Sequence, residues 1–238
     1  ISVEQAESVA GPAMQYFSSL LPGLGVCDSS IPAIEAGYEA ALDVLEEHFK
    51  HHPFLCGDSP TVADYGFFGP LYAHLGRDIY PANIMKNRSP RTYEWLERMM
   101  APNQPRTASN LSFEDGSESL LPLLELVAAD FYAELKALHA KASSLIAESG
   151  ADLIGQALPR TFGDAELDIR GHKMPLKLRP YMLWMLERFL TAFNALSDTE
   201  QGDVRSLLDR AGLVGITDMQ LSLKLERRDY KEVWCARA

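Results

Sequence analysis

The sequence predicts a mainly α-helical protein: a helical bundle followed by an α+β extension with a small antiparallel sheet. Three observations predict it. Apolar residues recur at steps of three and four over most of the first 150 positions. A proline-led helix start of the form Thr61-Val62-Ala63-Asp64 sits in the middle of that region. After Pro159 the period shortens to two, in Leu167 and Ile169 and again in Met174, Leu176 and Leu178, on either side of Arg170-Gly171.

At 238 residues, 47% of them hydrophobic and 23% charged, the chain is long enough to bury a real core. A net charge of −11 argues against a nucleic-acid partner and an anionic membrane surface. No apolar run approaches the roughly 20 residues that a membrane-spanning helix needs, and no secretory signal is visible. Cys27, Cys56 and Cys235 are odd in number and widely spaced, which disfavours a disulfide framework and fits a reducing cytoplasm.

Residues 1–22 read as a helix interrupted near Gly11-Pro12, with Val9, Ala13, Met14, Phe17, Leu20 and Leu21 as its apolar stripe. A loop over 22–32 follows. Ile34, Tyr38, Ala41, Leu42, Leu45 and Phe49 predict an amphipathic helix from Pro32 to His51. At the next helix start, Thr61 can accept from the amide of Asp64 while the Asp64 carboxylate reaches back to the amide of Thr61. Because Val62, Ala63, Phe67, Phe68, Leu71 and Tyr72 surround this helix, it is expected at the centre of the bundle, ending near Leu75. Ser89-Pro90 opens a helix over Arg91–Met100. Residues 101–118 are rich in Pro, Asn, Ser and Gly. The predicted division is therefore a helical domain over 1–105, a linker over 106–118 and an extension over 119–238. That extension reads as one long helix from Ser119 to Glu148, a hairpin, helices over 180–196 and 199–211, and a terminal hairpin pairing with the first.

Candidate chemistry is sparse. His48 and His52 lie one helical turn apart and could ligate a metal, but a zincin helix would need Glu where Phe49 stands, and histidines are favoured at a helix C-terminus on dipole grounds alone. Cys56 near a helix start could be reactive; burial is the favoured reading. Glu46, Glu47, Asp78, Glu94 and Glu97 suggest solvated faces. Arg77 and Asp78 suggest a local ion pair. Tyr181, Trp184, Met185 and Phe189 read as core rather than ligand pocket. Serine elbows, phosphate-binding glycine loops and CxxC pairs are absent from the sequence. No catalytic residue, metal ligand or cofactor-binding residue is assigned.

The capped Thr61–Asp64 start, with Pro53-Phe54-Leu55-Cys56-Gly57 before it and Gly69-Pro70-Leu71-Tyr72-Ala73-His74-Leu75 after it, resembles the helical C-terminal domain of glutathione transferases. The likeness covers residues 1 to about 105 and is most specific from Pro53 to Pro102. Gly66 to Asp78 and Glu94 to Pro102 look like a bacterial branch with a long C-terminal extension; Leu158-Pro159-Arg160 to Gly163 and Pro180-Tyr181 to Met185 resemble parts of that extension. One departure is Pro60, where the family usually carries Ile, Val or Leu stapled to an apolar residue in the helix.

The resemblance implies a detoxifying, glutathione-dependent transferase of the cytoplasm, with glutathione as cosubstrate and a small hydrophobic electrophile as acceptor. Thr61 and Asp64 would be structural cap residues. Met14, Tyr16 and Phe17 would contact substrate, although bundle core is the competing reading for Met14 and Phe17. Thiolate activation in the family comes from a thioredoxin-like N-terminal domain of roughly 80 residues. The helical pattern here starts at residue 2, so that domain is expected to be a missing partner and the chain inactive alone, a monomer or weak homodimer. The alternatives are a non-catalytic protein–protein interaction module of the same fold and a small-ligand-binding protein.

Overall fold

The computed structural model describes residues 2–101 and 113–237. It is mainly helical, with two two-stranded antiparallel ribbons towards the C-terminus. The chain divides into two units: residues 35–128 with 206–214, and residues 1–34 with 129–205 and 215–238. The units thus interleave in sequence, unlike the linear division expected. Of the expected linker, 106–112 lie outside the described residues, and Phe113 to Glu118 open a helix.

The first of these units is built from α2 (Ile31–His48), α3 (Val62–Pro70), α4 (Ile79–Arg88), α5 (Pro90–Met100) and α6 (Phe113–Asp130). Leu42, Leu45 and Phe49 supply the inward stripe of α2 and its C-terminal end, as their spacing predicts, and meet Trp95, Leu96 and Met99 of α5. Phe49 and Trp95 stack with ring centroids 5.3 Å apart. The α5 N-terminus is capped from α2: Glu46 Oε2 accepts from the Arg91 amide at 2.9 Å and from the Ser89 hydroxyl at 3.3 Å. A carboxylate there satisfies otherwise unpaired amides and meets the positive end of the helix dipole. Glu46 is therefore a structural anchor and not the solvated charge its sequence context suggests.

α3 forms where the capping pattern places it, but it is not buried all round. Only Asp64 is buried in it, and Val62 and Tyr65 are exposed. Nine residues offer one inward face, which Ala63, Phe67 and Phe68 share. Beyond Pro70 the helix loosens into a π turn over Leu71–Leu75, closed by the Gly76 amide on the Leu71 carbonyl at 2.7 Å. A Cβ at Gly76 would stand 2.8 Å from that carbonyl oxygen, so glycine is required by space. Arg77 turns back to donate to the Tyr72 hydroxyl at 3.1 Å rather than pairing locally with Asp78. α4, which no periodicity announces, lies between these segments.

The other unit contains α1 (Val3–Leu20), α7 (Tyr132–Ser149), β1 (Asp164–Ile169), β2 (His172–Lys177), α8 (Tyr181–Asn194), α9 (Asp198–Arg210), β3 (Leu223–Arg228) and β4 (Lys231–Ala236). The last residues of α9 belong to the first unit. The core here gathers Leu138 and Ala142 of α7, Leu183 of α8, Leu176, Leu225 and Trp234. α1 runs unbroken through Pro12, contrary to the interruption expected at Gly11-Pro12, and begins with a Ser2–Gln5 capping box. The long helix expected from 119 to 148 is two helices. Phe131 leaves helical geometry at φ −123°, ψ −28°, next to Asp130, which Arg170 grips from the β1–β2 turn.

Asp164 pairs with Lys177 and Ile169 with His172, so Arg170-Gly171 forms the two-residue turn, both at positive φ as a type I′ turn demands. The second ribbon turns at Asp229-Tyr230, again at positive φ. The two ribbons do not pair with each other, which corrects the expected four-stranded arrangement. Residues 155–158 occupy the edge of β4 instead: the Gly155 amide donates to the Trp234 carbonyl at 2.8 Å and the Leu158 amide to the Glu232 carbonyl at 2.7 Å. The Trp234 amide in turn donates to the Gln156 carbonyl at 3.0 Å, so that edge is already occupied where another hairpin would pair.

Candidate functional site

Asp64 is the most densely hydrogen-bonded carboxylate among the described residues, and it is 0% exposed. Its Oδ2 accepts from the Thr61 amide and the Thr61 hydroxyl, each at 2.9 Å. Its Oδ1 accepts from the Leu55 amide at 2.9 Å and from Trp95 Nε1 at 3.1 Å. The reciprocal Thr61–Asp64 capping box is present. The structure thus adds two partners that the cap pattern does not reveal, and together they join the Pro53–Gly57 run, α3 and α5. The arrangement is structural: Asp64 itself is closed to solvent, while Thr61 is half-buried.

Met14, Tyr16 and Phe17 stand on α1 at 69%, 61% and 65% exposure, which removes the bundle-core reading for Met14 and Phe17. No residue of α1 is buried, and Val9, Leu20 and Leu21 are exposed along with them. Tyr16 and Phe17 meet edge to face with centroids 5.4 Å apart. The apolar residues of this helix are thus left in water among the described residues.

The histidine group resolves differently from its sequence reading. His48 is 3% exposed, with its ring 5.0 Å from that of His52. His48 Nε2 lies 3.2 Å from the Phe54 carbonyl oxygen. A carbonyl can only accept, which assigns the ring proton to Nε2. Nδ1 is buried and no group meets hydrogen-bond geometry there. Burial pushes the His48 pKa below its usual value; the Phe54 carbonyl opposes this, His52 reinforces it, and the Ser119 backbone and the Asp64 charge oppose it more weakly. His139 on α7 is likewise pushed down by burial. Among the described residues, no three His, Cys, Asp or Glu side chains come together in a way that could hold a metal ion.

These two shifts have a sign. The unfolded chain takes up protons near the ordinary histidine pKa, whereas the folded chain resists them until lower pH. Stability is therefore retained above about pH 6.5 and falls as the pH drops below that value towards the depressed folded-state pKa values. Melting temperatures measured from pH 7.5 to pH 5 should decline, and His48→Gln should reduce the slope. An unchanged slope in that variant would remove His48 as a source.

Sequence reasoning also passed over Cys27. Its thiol lies 3.2 Å from the Ser29 hydroxyl and 3.5 Å from that of Ser30, and these contacts, Ser29 first, lower its pKa. Cys-Asp-Ser-Ser was the available signal. Cys56, by contrast, is half-buried. Tyr181 and Met185 are exposed and not core; Arg227 lies over both the Tyr181 and Trp184 rings, while Leu183, Leu186, Leu190 and Phe193 carry the buried face of α8.

A capped α3 carrying a buried N-terminal acid, preceded by a long amphipathic α2 and packed against α5, defines an all-helical bundle. Residues 28–100 match the family model for the glutathione S-transferase C-terminal domain. Over that span, under a third of the sequence, the chain therefore carries a domain of the glutathione S-transferase C-terminal type. No curated protein and no solved structure gave a match to the chain. No helix among the described residues is long and apolar enough to cross a membrane.

Proposed function

We propose that this chain supplies the apolar, electrophile-binding side of a glutathione-dependent transferase acting in detoxification, with the thiolate activated by residues of a thioredoxin-like domain. The observation that supports this most directly is the exposed apolar stripe of α1, carried on a chain with a transferase-type helical domain. Met14, Tyr16 and Phe17 are the contact residues in this reading; a small aromatic electrophile would lie along them. Tyr16 also offers a hydroxyl, which fixes orientation where purely apolar neighbours cannot.

Quenching of intrinsic fluorescence by a chloronitrobenzene measures binding to the chain directly. Tyr16→Ala is expected to weaken it about tenfold, the loss of one aromatic contact surface of roughly 1.5 kcal/mol. Unchanged affinity would overturn the assignment. With glutathione and the same acceptor, the 238-residue chain alone is expected to show no turnover above the uncatalysed rate; measurable turnover would show that thiolate activation resides within it.

The same exposed stripe favours one second reading, a non-catalytic module that docks a partner protein through α1. Adding a thioredoxin-like domain in trans separates the two: restored turnover supports the transferase, and association without turnover supports the module.

A further inference from the structure

Between the outer face of α8 and β3 runs an open groove of about 650 Å³. Tyr181, Trp184, Arg188, Thr191 and Ala195 lie three or four positions apart, so they share that face. Trp184, Arg188, Thr191, Ala192 and Ala195 line the groove from α8, and Lys224 to Arg227 line it from β3. The small side chains of Thr191, Ala192 and Ala195 leave the space open. Tyr181 and Met185 extend the surface, at 42% and 37% exposure, with the Tyr181 ring 5.6 Å from that of Trp184.

Two guanidinium groups converge on Trp184: Arg188 at 5.1 Å from the ring centroid and Arg227 at 5.4 Å, the latter also 5.6 Å from the Tyr181 ring. The indole face attracts both but carries no charge to neutralise them. Both arginines are exposed. The carboxylates that line the groove are committed elsewhere: Glu187 pairs with Arg237 at 2.6 Å, and Glu226 with Lys224 at 3.2 Å and Arg228 at 2.8 Å. Those pairs also account for Lys224, the remaining cation of the lining. Arg227 has Glu232 at 3.6 Å, an ion pair beyond hydrogen-bond reach, and Arg188 has no ion pair among the described residues. Asp229 and Lys231, at the β3–β4 turn, do not line the groove. On a chain of net charge −11, this is a local excess of positive charge beside aromatic surface.

We propose that the α8–β3 groove docks an acidic segment of a partner protein, with carboxylates on Arg188 and Arg227 and an apolar side chain against Trp184 and Ala192. Guanidinium forks take carboxylates through paired N–H···O bonds. Tyr, Trp, Met and Arg together in one exposed patch are the residues enriched where proteins bind one another. Glu226 and Glu232 keep the positive excess small, which suits one or two carboxylates and disfavours a polyphosphate or an anionic lipid surface. The groove includes no residue of α1 or of the span 28–100, so it stands apart from the transferase reading.

The blocked peptide Gly-Glu-Leu-Glu-Leu-Gly tests this, with its Gln-for-Glu analogue and sodium acetate as controls. Titration of the full chain should give saturable shifts of the Trp184 indole and the Arg188 and Arg227 Nε resonances, with binding that weakens as salt rises. The Gln analogue should bind at least about tenfold more weakly, and acetate at the same concentration should leave the Trp184 resonance unmoved. Arg188→Gln should weaken peptide binding about tenfold. Ala192→Glu, at an exposed helix position, places a carboxylate in the groove and should abolish binding with an unaltered melting profile. The proposal is overturned if the peptide moves none of these resonances, if the Gln analogue or acetate matches it, or if a folded Arg188→Gln or Ala192→Glu chain binds it as the parent does.

Discussion

Asp64→Ala is expected to lower the unfolding free energy by about 3–5 kcal/mol, far more than loss of a helix cap, which costs about 1 kcal/mol. The reason is the number of donors converging on one buried carboxylate. Removing it strands the Leu55 and Thr61 amides and the Trp95 indole N–H at once. Each stranded buried donor costs about 1–3 kcal/mol, and partial relaxation trims the sum. Asp64→Asn should fall between, because its carbonyl oxygen can serve one pair of donors while its amide faces the other. Urea denaturation of the three proteins reads this directly. If Asp64→Ala lost only about 1 kcal/mol, the links to Leu55 and Trp95 would carry no energy, and Asp64 would be a cap and nothing more.

Arg237→Ala should cost about 2–4 kcal/mol at neutral pH. Glu187 is only 7% exposed, and Arg237 grips it with both terminal nitrogens, at 3.0 and 2.6 Å. The same guanidinium donates through Nε to the Leu221 carbonyl at 3.0 Å. Removing the arginine leaves a buried carboxylate without its partner, which is the expensive way to break such a pair. Arg237 keeps about a quarter of its side chain in water, so the figure is set below that of a fully buried pair. Replacing both residues with methionine should recover most of the loss, since the desolvation of the carboxylate disappears with it. A double-mutant cycle measures the difference. An Arg237→Ala chain as stable as the parent would show the pair to be energetically idle.

Local pattern carried much of the architecture. Period-three-and-four spacing places α2 and α8, the Ser89-Pro90 start places α5, the Ser197–Glu200 pair opens α9 where Ser197 or Asp198 is expected, and Arg170-Gly171 sets the first hairpin turn. These are short-range features, encoded within a few residues of where they act. Beside the local misses at Gly11-Pro12 and α4, the remaining failures are long-range. No local signal marks the break at Phe131, which falls beside the Asp130–Arg170 pair joining residues forty positions apart. The pairing of β4 with residues 155–158 could not be read from alternation, because alternation gives a strand its faces but not its neighbour. The apparently all-round apolar surface of α3 promised a central helix; its brevity and the loose π turn after it leave Val62 and Tyr65 in water.

The candidate sites divide along the same line. The α1 stripe was visible as a pattern, yet whether it faces a core or solvent is decided by what the rest of the chain packs against it. In the sequence His48 is only one of two imidazoles a turn apart. That it is buried and donates through Nε2 follows from the packing around it and from the Phe54 carbonyl.

By itself the sequence determined the helical class, the Thr61–Asp64 helix start and the likeness to the transferase domain, because capping and periodicity are properties of neighbouring residues. Only the tertiary structure decided that Asp64 ties three segments together and that α1 keeps its apolar face in water. Those depend on which distant backbone and side-chain groups come within hydrogen-bond or packing distance, and no local rule specifies that.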